Sequence, residues 1–362
     1  MSIKLHFTEQ DWDRIYRDWS AWWAKDLDRP MVIIETFHPV LFPKEVLSRE
    51  FLFEKPADQV IDFFQNNLEN RYFFGDALPR WWPNFGPGIV AGFLGANVHC
   101  RPEQGTVWFD VDQQMPIEDL SFEFNPENAW WRRVKDLTGT AVERFKSQVS
   151  VCHTDLGGSL DILASFRTAN QLLMDFYDAP GQVLRLCNEI TGAWLRYYDE
   201  LYNIIQPSGR GTSNWAEVWS PGKCYMFQSD LSYMISPKMF EEFVMPDLSE
   251  GFAKMDHTFY HLDGKGQIAH LDLLLSMEEL DGIQWIPGAG EPPPEEWLPL
   301  LKRIRERGKL CQVYVTAEGA RKIVREIGGR GFIFYIIPFP LMSADQARDF
   351  IKLLAEEDLH HR

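Results

Sequence analysis

Starting at Pro30 the chain repeats one pattern: a short run rich in β-branched and aromatic residues, then a longer run with helical spacing. PMVIIETF (30–37) is the first such strand, and amphipathic segments follow at 44–56 and 57–74. One poorly marked strand falls near 75–83. The second half is regular. SVCHTDLGG is strand then turn, TSNWAEVW is strand-like, and HTFYHLDG, GIQWIPG, KLCQVYV and GFIFYII are strands. Helical stretches separate them, with Ser236 as a cap, Pro237 at a first helical position and Pro180 at a joint. Strands alternating with helices ask for a parallel sheet, and eight such units close most naturally into a (β/α)8 barrel. An open doubly wound sheet is the other solution, but no GxGxxG follows a strand. Barrels reach 362 residues as a single domain, so residues 1–362 are expected to form one.

Two regions stand outside the repeat. Residues 1–28 form an N-terminal helical extension: Thr8 and Asp11 fit a capping box, and Trp12, Ile15, Tyr16 and Trp19 recur at helical spacing. Residues 75–126 are an irregular insertion rich in Gly, Pro and Trp, with strand-like pieces such as TVWFDV. Such a stretch is either a wall or lid over a site or a hairpin added to the scaffold.

Composition narrows the setting. No run of about 18 apolar residues is present, and the first residues lack the basic and apolar blocks of a secretory signal. The five cysteines are scattered and form no CxxC, which fits a reducing cytoplasm better than a disulfide framework. A formal net charge of −17 without a basic stripe argues against nucleic acid and anionic membranes. The 14 tryptophans, several adjacent, either pack cores and interfaces or wall a pocket for a flat or apolar ligand.

The chemistry-bearing residues fall at strand ends. In a strand, residues i and i+2 share a face, so His261 and Asp263 point the same way, and Gly264 lets the chain turn. That places the pair at the C-terminal mouth of a barrel, where such enzymes keep their chemistry. By the same argument His153 and Asp155 share a face, as do Trp215, Glu217 and Trp219; Glu35, Gln284 and Tyr335 add further strand-end groups. Clustered carboxylates and imidazoles suit acid–base work or metal ligation. Asp155 is equally a helix cap and His153 a packing residue, while His257 and His270 fit surface or packing roles.

TDLGGSLDIL, LLMDFYDAPGQV, SDLSYMISPKMFEEFVMPDL, YHLDGKG and the closing GK…GFIFYI…SADQA resemble the uroporphyrinogen decarboxylase superfamily, which includes cobalamin-linked methyltransferases. The resemblance covers residues 150–355 well and the first half loosely. It implies a cytoplasmic (β/α)8 enzyme, often a homodimer. Asp76 in GDALP resembles the decarboxylase aspartate that stabilises a protonated pyrrole, but the arginine-rich carboxylate-binding segment of those enzymes has no counterpart after ETFHPVLFP. The methyltransferases carry zinc on a His-x-Cys pair and a later Cys. Here the pair is His261-x-Asp263 and YIIPFP holds no cysteine, so zinc would rest on His261, Asp263 and Glu217.

The resemblance therefore implies three activities. The first is a methyltransferase for a small methylated substrate, with a corrinoid protein as partner and His261 and Asp263 as its chemistry. The second is a cofactor-free decarboxylase using Asp76, with a carboxylic acid or tyrosine such as Tyr335 returning the proton. The third is a small-molecule binder without turnover.

Overall fold

A computed structural model describes residues 3–37, 49–337 and 342–360. Residues 44–48 of the amphipathic run at 44–56, most of ETFHPVLFP and the PFP after the last strand lie outside them. The chain divides into two compact units: Met1–Val40, Gln65–Pro79 and His257–Arg362 form the first, and Leu41–Phe64 with Arg80–Asp256 the second.

In the first unit, strands β1 (Met31–Phe37), β2 (Arg71–Gly75), β10 (His257–Asp263), β11 (Gly282–Ile286), β12 (Leu310–Val315) and β13 (Phe332–Ile336) lie in the order β2-β1-β13-β12-β11-β10. Neighbours are parallel except β2, which runs antiparallel to β1. This corrects the sequence reading: the strand expected near 75–83 is the short β3 (Arg80–Trp81) of the second unit, whereas β2, antiparallel to β1, is a further strand at the end of the amphipathic segment 57–74. One face of the sheet is largely apolar. Tyr260, Leu262, Ile283, Trp285, Cys311 and Val313 are fully buried there, each of the large ones contributing about 1.5–3 kcal/mol. Helices α10 (Leu271–Ser276), α11 (Leu298–Glu306), α12 (Ala317–Ile327) and α13 (Ala344–Leu359) fill the connections and the C-terminus.

Helix α1 (Glu9–Trp23) forms as its spacing predicts, with the Thr8–Asp11 capping box intact. Its apolar stripe closes the N-terminal end of the sheet: Trp22 stacks on Phe259 at 5.9 Å and Trp23 on His257 at 4.1 Å. His257 is thus a packing residue, and His270 is fully buried.

The second unit holds β3 (Arg80–Trp81), parallel to β6 (Ser150–Val151), and the antiparallel pairs β4 (Asn97–Arg101) with β5 (Thr106–Asp110) and β7 (Thr212–Ser213) with β8 (Trp219–Ser220). It also contains β9 (Cys224–Phe227). The 75–126 region therefore includes a hairpin. Helices α3 (Val90–Phe93), α4 (Ala129–Phe145), α5 (Ser159–Arg167), α6 (Ala169–Asp178), α7 (Pro180–Ile205), α8 (Pro237–Phe243) and α9 (Met245–Phe252) surround these strands, and α2 (Ala57–Glu69) spans the chain boundary between the units. TSNWAEVW is not one strand. It is a hairpin whose turn is fastened by Asn214 Oδ1, which accepts from the backbone of Ala216 and Val218.

Candidate active site

The parallel register turns the strand-end residues of the first unit into rows. His261 lies beside Gln284, and Gln284 beside Gln312. One step of two residues further along, on the same face, come Asp263 and Ile286 on β10 and β11, and Tyr314 and Tyr335 on β12 and β13. Glu35 follows two residues beyond Ile33, the partner of Tyr335. His261, Asp263, Gln284, Tyr335 and Glu35 thus share one face near the C-terminal ends of parallel strands, as their spacing predicts.

Hydrogen bonds fix the first row. Gln284 donates through Nε2 to Gln312 Oε1 at 2.9 Å, so its carbonyl oxygen faces His261 Nδ1 at 2.5 Å. An acceptor there requires Nδ1 to carry the proton, which leaves the lone pair on Nε2. Nε2 stands 3.8 Å from Asp263 Oδ2. Gln284 is fully buried, whereas His261 is slightly exposed and Asp263 more so, so the row opens outward from a dry base. Gly264, at φ +79°, turns the chain directly after the pair. Tyr335 packs edge-on against Tyr314 at 5.0 Å. Glu35 is held by Arg71 at 2.8 Å. Gln312 escaped the sequence reading, although a lone amide inside the apolar run KLCQVYV was its signal.

Asp76 is placed elsewhere. Its carboxylate takes both Arg29 Nη atoms and the Val32 N–H, each at 2.8 Å. Val32 is the second residue of β1 and Glu35 lies three residues on, so Asp76 sits about 10 Å toward the N-terminal end from Glu35. It is a fully buried partner of Arg29 rather than a group at the C-terminal ends.

The candidates in the second unit also take structural positions. His153 is fully buried, stacked on Tyr198 at 4.1 Å, with Nε2 3.3 Å from the Tyr198 carbonyl. Burial pushes its pKa down to about 3, so it is neutral. Asp155 forms a turn through the Gly157 N–H and accepts from Gln228. Trp219 is buried and donates to the Arg210 carbonyl, while Trp215 is half-buried. Glu217 lies in the β7–β8 turn at φ +60° and is ion-paired with Arg80, so the expected common face of Trp215, Glu217 and Trp219 does not form. Arg80 was not foreseen; it opens the short β3 within the weakly marked segment 75–83.

The donors suited to a divalent ion in the first unit are therefore His261 Nε2 and Asp263 Oδ2. That nitrogen–oxygen pair does not fit the thiolate zinc centre that the sequence resemblance implies. Cys311, on the neighbouring β12, lies on the apolar face, and burial pushes its thiol up to about 12.

No family model matches the sequence, and no curated protein matches it. Among solved structures, a methyltransferase from Methanosarcina mazei superposes over 99% of this chain and 100% of its own, with TM-score 0.60 and 10% identity. A B12-independent methionine synthase from Shewanella sp. W3-18-1 covers 74% of this chain and 75% of its own at 13% identity, with TM-score 0.33. The first of these likenesses extends over essentially the whole of both chains. At 10% identity it shows the fold alone: the chain has a mixed α/β fold shared with that solved structure.

Proposed function

We propose that the protein is a methyltransferase acting on a small methylated substrate, with a separate corrinoid protein as methyl acceptor. The observation that carries this reading is the fixed tautomer of His261. Its Nδ1–H is spent on Gln284, and Nε2 faces Asp263. In the protonated form, Nε2–H delivers its proton to the substrate heteroatom as the carbon–heteroatom bond breaks, and Asp263 stabilises the imidazolium beforehand. A reduced corrinoid supplies the nucleophile that takes the methyl group. A divalent ion held by His261 and Asp263 would serve the same heteroatom; such donors favour an oxygen-linked methyl group over a thiol. Glu217 is already engaged by Arg80 and is not part of this set. The free thiols suit a cytoplasmic setting. Asp76, clamped by Arg29 near the start of β1, gives decarboxylation no comparable support.

The test mixes purified protein with cob(I)alamin and a panel of methoxylated and methylated donors, following methylcobalamin by absorbance. Methylation is expected with at least one donor, and His261→Ala should slow it by about 10²–10⁴-fold. Bound divalent metal, measured on the same samples, should fall in that variant if the ion is present. Failure of every donor to alkylate the corrinoid would sink the proposal.

A further inference from the structure

The second unit contains a cavity that the proposed chemistry does not use. It lies between the first turn of α5, the middle of α7, the end of β9 and the first turns of α9. The space open to the centre of a water-sized sphere is about 30 Å³, and one water needs about 10–15 Å³ on that measure. The cavity therefore holds roughly two non-hydrogen atoms.

Its lining is unusual for so small a space. Ser159 Oγ and Thr191 Oγ1 lie 2.9 Å apart, on α5 and α7. Asp247, on α9, lines the same cavity, close enough to both hydroxyls for them to favour its ionised form. The rings of Trp194 and Phe227, stacked on each other at 5.5 Å, also line it. Oxygen-bearing side chains from three helices, one of them a carboxylate, thus share one small cavity with two aromatic rings. Among the described residues, no lysine or arginine lines the cavity to balance that carboxylate. Burial pushes Asp247 up to about 7, with Glu250 adding repulsion, so the site pays for ionisation unless a cation enters. Cys187 of α7 is the other titratable group that feels it.

We infer that this cavity binds a small monovalent cation of the ammonium class, held by Asp247, Ser159 and Thr191 and faced by Trp194 and Phe227. A carboxylate supplies the charge, hydroxyls accept N–H groups, and aromatic faces attract the cation. Ammonium and methylammonium fit the volume, and potassium shares the charge but makes no directional hydrogen bonds. The site is independent of the methyltransferase reading.

The experiment measures thermal melting of the full chain in ammonium, methylammonium, potassium and tetramethylammonium chlorides at constant ionic strength. A saturable rise of about 2–4 °C is expected with ammonium or methylammonium and none with tetramethylammonium, which is too large. The rise should vanish in Asp247→Asn, an isosteric change at a group already close to neutral. Calorimetry in two buffers should detect proton release on binding, larger at pH 6 than at pH 8. A shift only with potassium assigns the site to a metal cation and overturns the ammonium assignment. Equal shifts in every salt, or an unchanged shift in Asp247→Asn, overturn the site altogether. If that variant does not fold, rubidium-soaked crystals of the unaltered protein decide: an anomalous peak beside Asp247 supports a cation, and a cavity holding water alone refutes it.

Discussion

His153 shows how burial alone can retire a candidate catalyst. Its ring lies flat on Tyr198 with an interplanar angle of 1° and no exposure, and its pKa falls to about 3. The folded state therefore stays neutral while the unfolded chain takes up a proton near pH 6.5. The unfolded state binds more protons between those values, so this residue's contribution is complete above pH 6.5 and is lost as pH falls toward 3. The expected slope is about 1.4 kcal/mol per pH unit. Two carboxyls act in the opposite sense: burial pushes Asp161 up to about 8 and Asp247 to about 7, so their contribution is lost as pH rises from about 4 toward those values. Comparison with His153→Phe, which keeps a stacking ring but cannot titrate, cancels them. Urea denaturation of both proteins from pH 4 to 7.5 should show the unaltered protein losing stability relative to the variant as pH drops. A pH-independent difference would mean that His153 takes up its proton in the fold as readily as in the unfolded chain.

At the level of elements, the sequence announces a structure wherever local chemistry and tertiary position agree. The Thr8–Asp11 box, the Ser236 cap with Pro237, and the α6–α7 break before Pro180 each depend on near neighbours and appear as read. TSNWAEVW misleads because its alternation belongs to a hairpin turn held by Asn214, a side-chain bond that periodicity does not report. CYMF, which forms β9, is too short and too uniformly apolar to show a period. The DLGG turn is legible as a turn, but its reason is tertiary. A Cβ on Gly158 would stand 2.1 Å from the Gln228 carbonyl oxygen, a backbone atom that cannot swing aside. Gly158→Ala is therefore expected to cost about 1–3 kcal/mol or more. Gly139 lies inside α4, and a methyl group added to it would meet no atom within 4 Å. Gly139→Ala should instead stabilise the fold by about 0.4–1 kcal/mol. Urea midpoints of the two variants measure both; equal effects would mean the close approach at Gly158 is not what selects glycine.

For the whole chain, similarity of fold at 10% identity means that little beyond pattern is shared with the solved methyltransferase. Pattern was enough to recover most strands of the first unit and the common face of His261, Asp263, Gln284, Tyr335 and Glu35, because parallel register converts spacing directly into position. It was not enough for Asp76, whose place depends on Arg29, distant in sequence, nor for Arg80, whose partner Glu217 is 137 positions away. Charge is the property the sequence specifies without any fold. At −17, the chain gathers like charges as it compacts, and the resulting repulsion is relieved by screening. Folding stability should therefore rise as choline chloride increases from about 0.01 to 0.15 M, over which the Debye length falls from roughly 30 to 8 Å. Choline is too bulky for the Asp247 cavity, so the increase reports screening rather than site occupancy. The local ion pairs work against it, since Arg167–Asp175 and Arg29–Asp76 weaken with salt, but both are largely shielded from solvent. A urea midpoint that climbs with choline chloride and levels off near 0.15 M is the expected result. A midpoint that falls would show that favourable pairs outweigh the net charge, and that the acidic excess is already dispersed enough not to oppose folding.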